Sequence, residues 1–596
     1  MSSVSGSARR SRHRPWYRKI RASHIGLGVI LVVVLLGLVF AWQVARATSA
    51  LRLSGSQAQV LQSQIVAGDD VSAETTLQEL TASAGRAEST TDGPLWKIGA
   101  KVPVLGKNVS AVRQVAVSID RIARDALPPV VKLSKQINLN TYSPHGGKVD
   151  VAAIRKIAPS VATASAALKA AQKDVSGIDA SSLLIPLRQP VSSIQLKIDG
   201  AESAAQSGNL AARLLPTMLG GSGTRHYLLL IQNNAEVRST GGIAGSYAIL
   251  TAANGKLSMG KQGSIHDLPP FLSPVVPMTK DEKSVFSPSM VTDLRDANFT
   301  PDFPRTAQIT AAMAAKGLSQ PVDGVISVDP VAMSYILSGT GPVTIGPGVQ
   351  IDESTAVNIL LSQVYLQSHD PAVQDLVFKR AARGVFNKVK SGSADSRLVI
   401  AGMVKAADEN RLLIWSSHRD EERHIAKSGV SGEFRNNAGR TPHVGLYLGD
   451  AASTKMEYYL TYSTRLTAGR CLPGRIQELS TNTQIGSTAP PKLPKSVTGD
   501  GKFTPRGTMR IVMRFFAPYR GGFTEVRVNG IKQTVYADSL YGRNVTKVLL
   551  TIKPGETYTV MTSMITGKGQ DKDPIFSTTP GVQSTANDVK VPSACG

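Results

Sequence analysis

Residues Arg225 to Pro270 read RHYLLLIQNNAEVRSTGGIAGSYAILTAANGKLSMGKQGSIHDLPP. Tyr227 to Ile231 is an apolar run with no polar break, the pattern of a strand buried on both faces. It leads into Gln232-Asn233-Asn234-Ala235-Glu236-Val237-Arg238 and then Ser239-Thr240-Gly241-Gly242. This spacing puts a polar cluster at the C-terminal end of a buried strand, where ligands bind in open α/β sheets. A second apolar run, Tyr247 to Ala252, stops at Asn254-Gly255, a strong turn pair, and Lys256 to Met259 returns as a strand. The glycine pair lets the backbone approach a ligand closely or take positive φ. The alternative is a loop of turn formers that only joins strands.

Three polar sets are candidates to converge at the strand ends. The first is Asn233, Asn234, Glu236 and Arg238. The second lies in TDLRDANFTPDFPR and contains Arg295, Asp296, Asp302 and Arg305, with Asp293 and Asn298 beside them. The third is Lys379, Arg380 and Arg383 on a helix from Asp375 to Lys388. Lys379 and Arg383, four apart, share one helix face, and Arg380 points elsewhere. Arginine grips phosphate bidentately, and carboxylates beside phosphate commonly hold magnesium. Arg238 and Asp302 are the candidate catalytic pair, and Asp296 and Asp302 the candidate Mg2+ ligands. The other residues of the three sets are candidate substrate contacts. The competing explanation for each set is a surface ion-pair network.

Around this stretch the helical and β patterns separate cleanly. From Ala47 to Met218 the chain is rich in Ala, Ser, Val, Gln and Leu with helical periodicity, read as a helical stalk or bundle over 47–218. It is punctuated at Asp92-Gly93-Pro94, Pro128-Pro129 and Ser143 to Gly147, and its lone Trp96 is a packing anchor. Residues 224–428 form an α/β domain with a helix entered through Asp302 and Pro304 and stopped at Gly317. A second buried strand runs from Val322 to Val328. From Gly429 short alternating runs with turn residues between them predict a β-sandwich over 429–596.

At the other end, residues 1–24 are basic and carry no acid, and Ile25 to Val44 carry no charge and are long enough to span a bilayer. Residues 25–44 are read as a single transmembrane helix with 1–24 as a cytoplasmic tail, from the basic flank. The bulk of the chain would then be extracytoplasmic. A cleaved signal peptide is the rival, although the apolar run is long for one. The chain is thus multidomain: one membrane helix, a helical stalk, an α/β domain and a β-sandwich.

Composition narrows the partner. The 596 residues hold 67 Lys+Arg against 43 Asp+Glu, a formal net charge of +24. A chain this basic seeks polyanions. Aromatics are 5% and do not interleave with the basic residues, so nucleic acid is not expected. There is no G-x-x-x-x-G-K-[ST] phosphate loop, no G-x-S-x-G elbow and no metal spacing among the nine His. Cys471 and Cys595 are the only cysteines, and outside a membrane they can pair; two free thiols are the alternative.

QNNAEVRSTGG, the Asp302-Phe303 pair and VDGVISVDP from Val322 to Pro330 resemble a large bacterial family named only as domain of unknown function 4012, over roughly Leu95 to Val389. In order and spacing, Tyr227–Arg238, Ser246–Met259, Val325–Val343 and Asp375–Lys388 are similar to the LytR-CpsA-Psr cell-wall ligases. That likeness implies an enzyme moving a glycopolymer from a polyprenyl-pyrophosphate carrier to the wall. Arginines would sit on the pyrophosphate and acids on the metal. Carried over, it places Arg238, and by position Arg380 and Arg383, on the pyrophosphate. The Asp-Thr that should follow the Arg is replaced by Gly245-Ser246 or lost, and His266-Asp267 is the sole match to a later Arg-Asp. A non-catalytic scaffold binding wall or anionic wall polymer is the alternative.

Overall fold

The computed structural model describes residues 17–67, 69–103, 105–136, 147–434, 439–536, 538–583, 587 and 590–595. Residues 1–16 of the expected tail and 143–146 of the expected punctuation lie outside them. The described residues divide between two compact units, 1–138 with 156–212 and 139–155 with 213–596.

The first unit is helical. Its first helix, Tyr17–Ala67, is one uninterrupted element, so no break separates the apolar segment from the start of the stalk. Leu31, Leu35 and Leu38 are half or more exposed, and the helix is long and apolar enough to cross a membrane; a signal sequence meets the same criteria. Below that segment small side chains let a second helix, Asp70–Thr91, approach closely. Ala47, Ala73, Ala84 and Ala87 have no exposed surface, and Ser54 and Ser83 hydroxyls meet at 2.8 Å. Trp96 is 1% exposed and packs with Phe40, Ala47 and Val109, the anchor its isolation suggested. Pro128 and Pro129, expected to break the pattern, instead lie within a continuous helical run, at the start of its last segment, Leu127–Gln136. A π-type turn, Ile122–Ala126, leads into it.

In the second unit a five-stranded sheet is built from β1 (Arg225–Arg238), β2 (Gly241–Ala253), β3 (Lys256–Ser264), β4 (Gly324–Val328) and β7 (Leu413–Ser416), in the order β3-β2-β1-β4-β7. β1 and β4 are parallel, with Leu229 opposite Ile326, and the other pairs are antiparallel. Asn254 (φ 47°) and Gly255 (φ 80°) make the expected β2–β3 turn. The helix Phe303–Gly317 starts at Asp302 as read, and a helix Pro371–Ser391 carries the third basic set. A small hairpin, β5 (Val343–Gly346) and β6 (Val349–Ile351), lies between them in sequence.

Beyond it come β8 (His443–Asp450), β9 (Leu460–Leu472), β10 (Ile476–Ser487), β11 (Met509–Tyr519) and β12 (Gly522–Val528). They are followed by β13 (Ile531–Lys532), β14 (Asp538–Leu540), β15 (Arg543–Ile552), β16 (Thr557–Ile565) and β17 (Ile575–Thr578). They form two five-stranded sheets, β13-β12-β16-β10-β9 and β14-β15-β11-β8-β17. Leu479, Ile485 and Val560 of one sheet and Leu446, Met513 and Phe515 of the other belong to one apolar cluster. The same cluster takes in Ile231, Ala235 and Val237 of β1. The expected boundary at 428/429 is therefore not a boundary in packing, because the far half of β1 is buried by the β-rich part. Cys471 and Cys595 are disulfide-bonded, with Cα atoms 5.0 Å apart.

Candidate functional site

The polar segment 232–238 is not a loop past a strand, as its composition suggested. β1 runs through it, paired to β2, with register shifts after Ile231 and between Asn233 and Val237. Such bulges re-aim side chains, and here they bring successive polar residues inward. A buried polar side chain is costly without a partner, and nearly every one has found one. Gln232 Nε2 donates to Ser327 Oγ at 2.6 Å, and its Oε1 accepts the Gly242 N–H at 2.8 Å. Asn233 Nδ2 donates to the Tyr365 hydroxyl at 2.8 Å. Glu236 pairs with Lys455 at 2.7 Å. The Gly241-Gly242 pair is needed for close approach: a Cβ on Gly242 would lie 2.2 Å from the Asn233 carbonyl.

Asn234 sits at a clamp. Its Nδ2 donates to Asp329 Oδ2 at 2.9 Å and reaches the Pro580 carbonyl at 3.4 Å. Asp329 Oδ1 caps the helix Pro330–Thr340 through the Ala332 N–H, and its Oδ2 also takes Arg411 Nη1 at 2.8 Å. Arg411 Nη2 donates to the Gly581 carbonyl at 2.7 Å. Thr579 Oγ1 donates to the Ser239 carbonyl and accepts from the Leu448 N–H, both at 3.0 Å, and the Tyr462 hydroxyl bonds the Thr579 carbonyl. The chain segment 579–581 is thus seated on the polar end of β1. A cavity of about 620 Å³ opens beside the clamp, lined by Ser239, Thr240, Tyr335, Arg411, His443 and Pro580 among others.

The candidate catalytic residues are embedded rather than presented. Arg238 has a side chain 7% exposed, so the candidate catalytic guanidinium is buried. Its Nε and Nη1 donate to the carbonyls of Arg295, Val237 and Asp450, and Nη2 faces Asp296 Oδ1 at 3.4 Å. Arg295 doubles back on Asp293. Asp302 Oδ1 accepts the Phe434 N–H at 3.0 Å, and burial pushes its carboxyl up to about 6. Arg305 is bound to buried Glu282 at 2.7 Å. Of the third set, Arg383 Nε donates to Gln262 Oε1, the Lys379 carbonyl accepts from Gln262 Nε2, and Arg380 reaches the Ile345 carbonyl. The first two sets meet at Arg238, Arg295 and Asp296. Asp302 with Arg305, and the 379–383 helix face, are bound to other neighbours.

Nor do the candidate magnesium ligands form a donor set. Asp296 faces a guanidinium and Asp302 a backbone N–H. Among the described residues no three His, Cys, Asp or Glu side chains are grouped to hold a metal ion. The residues do not fit Mg2+, and no step is routed through it.

Sequence reasoning missed Tyr365, Arg411, Lys455, Asp450 and Arg514. Asp450 is buried, its carboxyl pushed up to about 6 by desolvation against the opposing pull of Arg238. The Asp329-Pro330 pair is a helix-start signature, so Asp329 alone carried a local signal.

Residues 222–365 match the family model described as Protein of unknown function (DUF4012). The match covers β1 to β6 and the polar segment. No curated protein matches the chain.

Proposed function

We propose that this is a membrane-anchored, extracytoplasmic, non-catalytic scaffold that binds an anionic polymer of the bacterial cell envelope. The observation that carries this reading is the internal use of the candidate groups: Arg238, Asp302 and Arg305 are each bound to backbone or to a buried acid. An active site needs groups free to meet a reacting atom and mutually placed around it. The ligase chemistry implied by the wall-ligase likeness has no such constellation to support it.

Charge points to the partner. Residues 219–428 hold 20 Lys+Arg and 19 Asp+Glu, whereas 429–596 hold 21 and 11. The excess is therefore in the β-rich part and in residues 1–218, not around the DUF4012 stretch. In this reading the tail is cytoplasmic, the helix starting at Tyr17 is retained, and the rest faces outward.

The test uses full-length protein in nanodiscs of zwitterionic lipid, sedimented with wall sacculi that carry or lack their anionic polymer. Salt-sensitive binding to the first kind alone is expected. Equal binding to both, or formation of a transferred glycopolymer from a lipid-linked donor, overturns the reading. A C-terminal reporter active only in the cytoplasm would overturn the topology.

A further inference from the structure

Arg514 lies on β11, on the face turned away from the core that holds Met513 and Phe515. Its Nε is sealed from solvent and has no hydrogen-bond partner, and among the described residues it makes no ion pair. What holds it are rings: its guanidinium carbon is 5.5 Å from the Phe286 centroid and 6.0 Å from that of Phe299. Phe299 is shared, since the Arg238 guanidinium carbon lies 5.1 Å from the same centroid. Two guanidinia thus border one ring. Burial together with repulsion from Arg238 pushes Arg514 down to about 10.

The acids near Arg238 do not pair with Arg514, and one of them, buried Glu457, has no hydrogen-bond partner and a carboxyl pushed well up by desolvation. Asp296 reaches Arg238 only at 3.4 Å. Asp293 is taken by Arg295, and Glu236 by Lys455. Asp450 turns its carboxylate to the N–H groups of Ala452 and Ser453. Space is kept for the Arg514 head: a Cβ on Gly449 of the neighbouring strand β8 would lie 3.2 Å from Nη1. An unpaired, partly desolvated cation is destabilising unless something compensates it. A guanidinium held against rings without a hydrogen bond of its own has planar donors left over for a tetrahedral oxyanion.

We infer that Arg514 and Arg238, bordering Phe299, form a phosphate-binding site that takes a phosphate or pyrophosphate group. Arg514 supplies the free donor edge. Arg238, held in place by three backbone carbonyls, supplies a second fixed positive charge. That the phosphate belongs to an envelope polymer rests on the reading above; the site itself does not.

The experiment is titration of inorganic phosphate, inorganic pyrophosphate and, at matched ionic strength, acetate into the full-length protein in zwitterionic nanodiscs. It is followed by calorimetry and by thermal unfolding. Pyrophosphate is expected to bind and to raise the unfolding midpoint, and acetate is expected to do neither. Arg514→Gln should weaken pyrophosphate at least tenfold and leave the anion-free midpoint unchanged or higher, because it removes an uncompensated cation. Arg514→Lys, which keeps the charge and loses the planar edge, should fall between. Equal pyrophosphate affinity in wild type and either variant overturns the site. So does a lower anion-free midpoint in Arg514→Gln, which would make the guanidinium a packing element. The envelope reading fails separately: Arg514-dependent pyrophosphate binding without sacculus binding leaves the site standing and removes the polymer.

Discussion

Replacing Arg411 by Met tests whether the polar end of β1 is a seat for the chain segment 579–581. The Arg411 and Asp329 side chains are 8% and 3% exposed and 2.8 Å apart. Methionine fills much of the volume but leaves the Asp329 carboxylate with only the Asn234 amide and the Ala332 N–H. Breaking a buried pair from one side costs about 3–5 kcal/mol, and the two remaining donors argue for the lower figure. The Gly581 carbonyl also loses its donor, adding about 1 kcal/mol. A loss of about 4 kcal/mol in denaturant unfolding is expected. At the usual unfolding entropy per residue this is a midpoint lowered by on the order of 4 °C for a unit of this size. Asp329→Asn in the same chain should recover part of the loss, because the stranded charge is gone, so the double-mutant cycle should show coupling above about 1 kcal/mol. The released segment should also be cut faster by trypsin after exposed Lys572, and the fragment should stay attached until reduction, held by Cys595. A cost under about 1 kcal/mol, with no coupling to Asp329→Asn, would refute the clamp.

Asp302 gives a pH test. Its folded-state carboxyl is raised from 3.8 to about 6, so between those values the folded state binds more protons and stability falls as pH rises. Asp302→Asn should flatten the stability profile from pH 4 to 6 and gain up to about 3 kcal/mol at pH 7; an unchanged profile counts against it. Cys471→Ser with Cys595→Ser opens a cross-link spanning 124 residues, which the chain-entropy account values at about 5 kcal/mol, read by urea unfolding against the oxidised parent. Gly242→Val must displace the Asn233 backbone, so a loss above about 3 kcal/mol or failure to fold is expected, and wild-type stability would show that the β1–β2 register can slip.

Sequence alone determined whatever is decided within a few residues. The uncharged run after the basic tail, the Asn254-Gly255 turn, the helix entry at Asp302 and the alternation of β8, β11 and β15 are local patterns set by solvent and backbone sterics. The two lone cysteines could be named as a pair because no other partner exists. The fate of Gln232 to Arg238 was not local. Seven mostly polar residues after an apolar run look like a loop, and tertiary structure made them strand. The partners that permit their burial come from Ser327 and Asp329, Tyr365, Asp450, Lys455 and Pro580, 95 to 346 residues away for the bonds of Gln232 and Asn234. A side chain's hydrogen-bond capacity is written in the sequence. Whether it is spent on the protein or left for a ligand depends on which remote segments the fold brings alongside. By that rule Arg238 is held inside, and Arg514, with no motif around it, is left without an ion pair among the described residues.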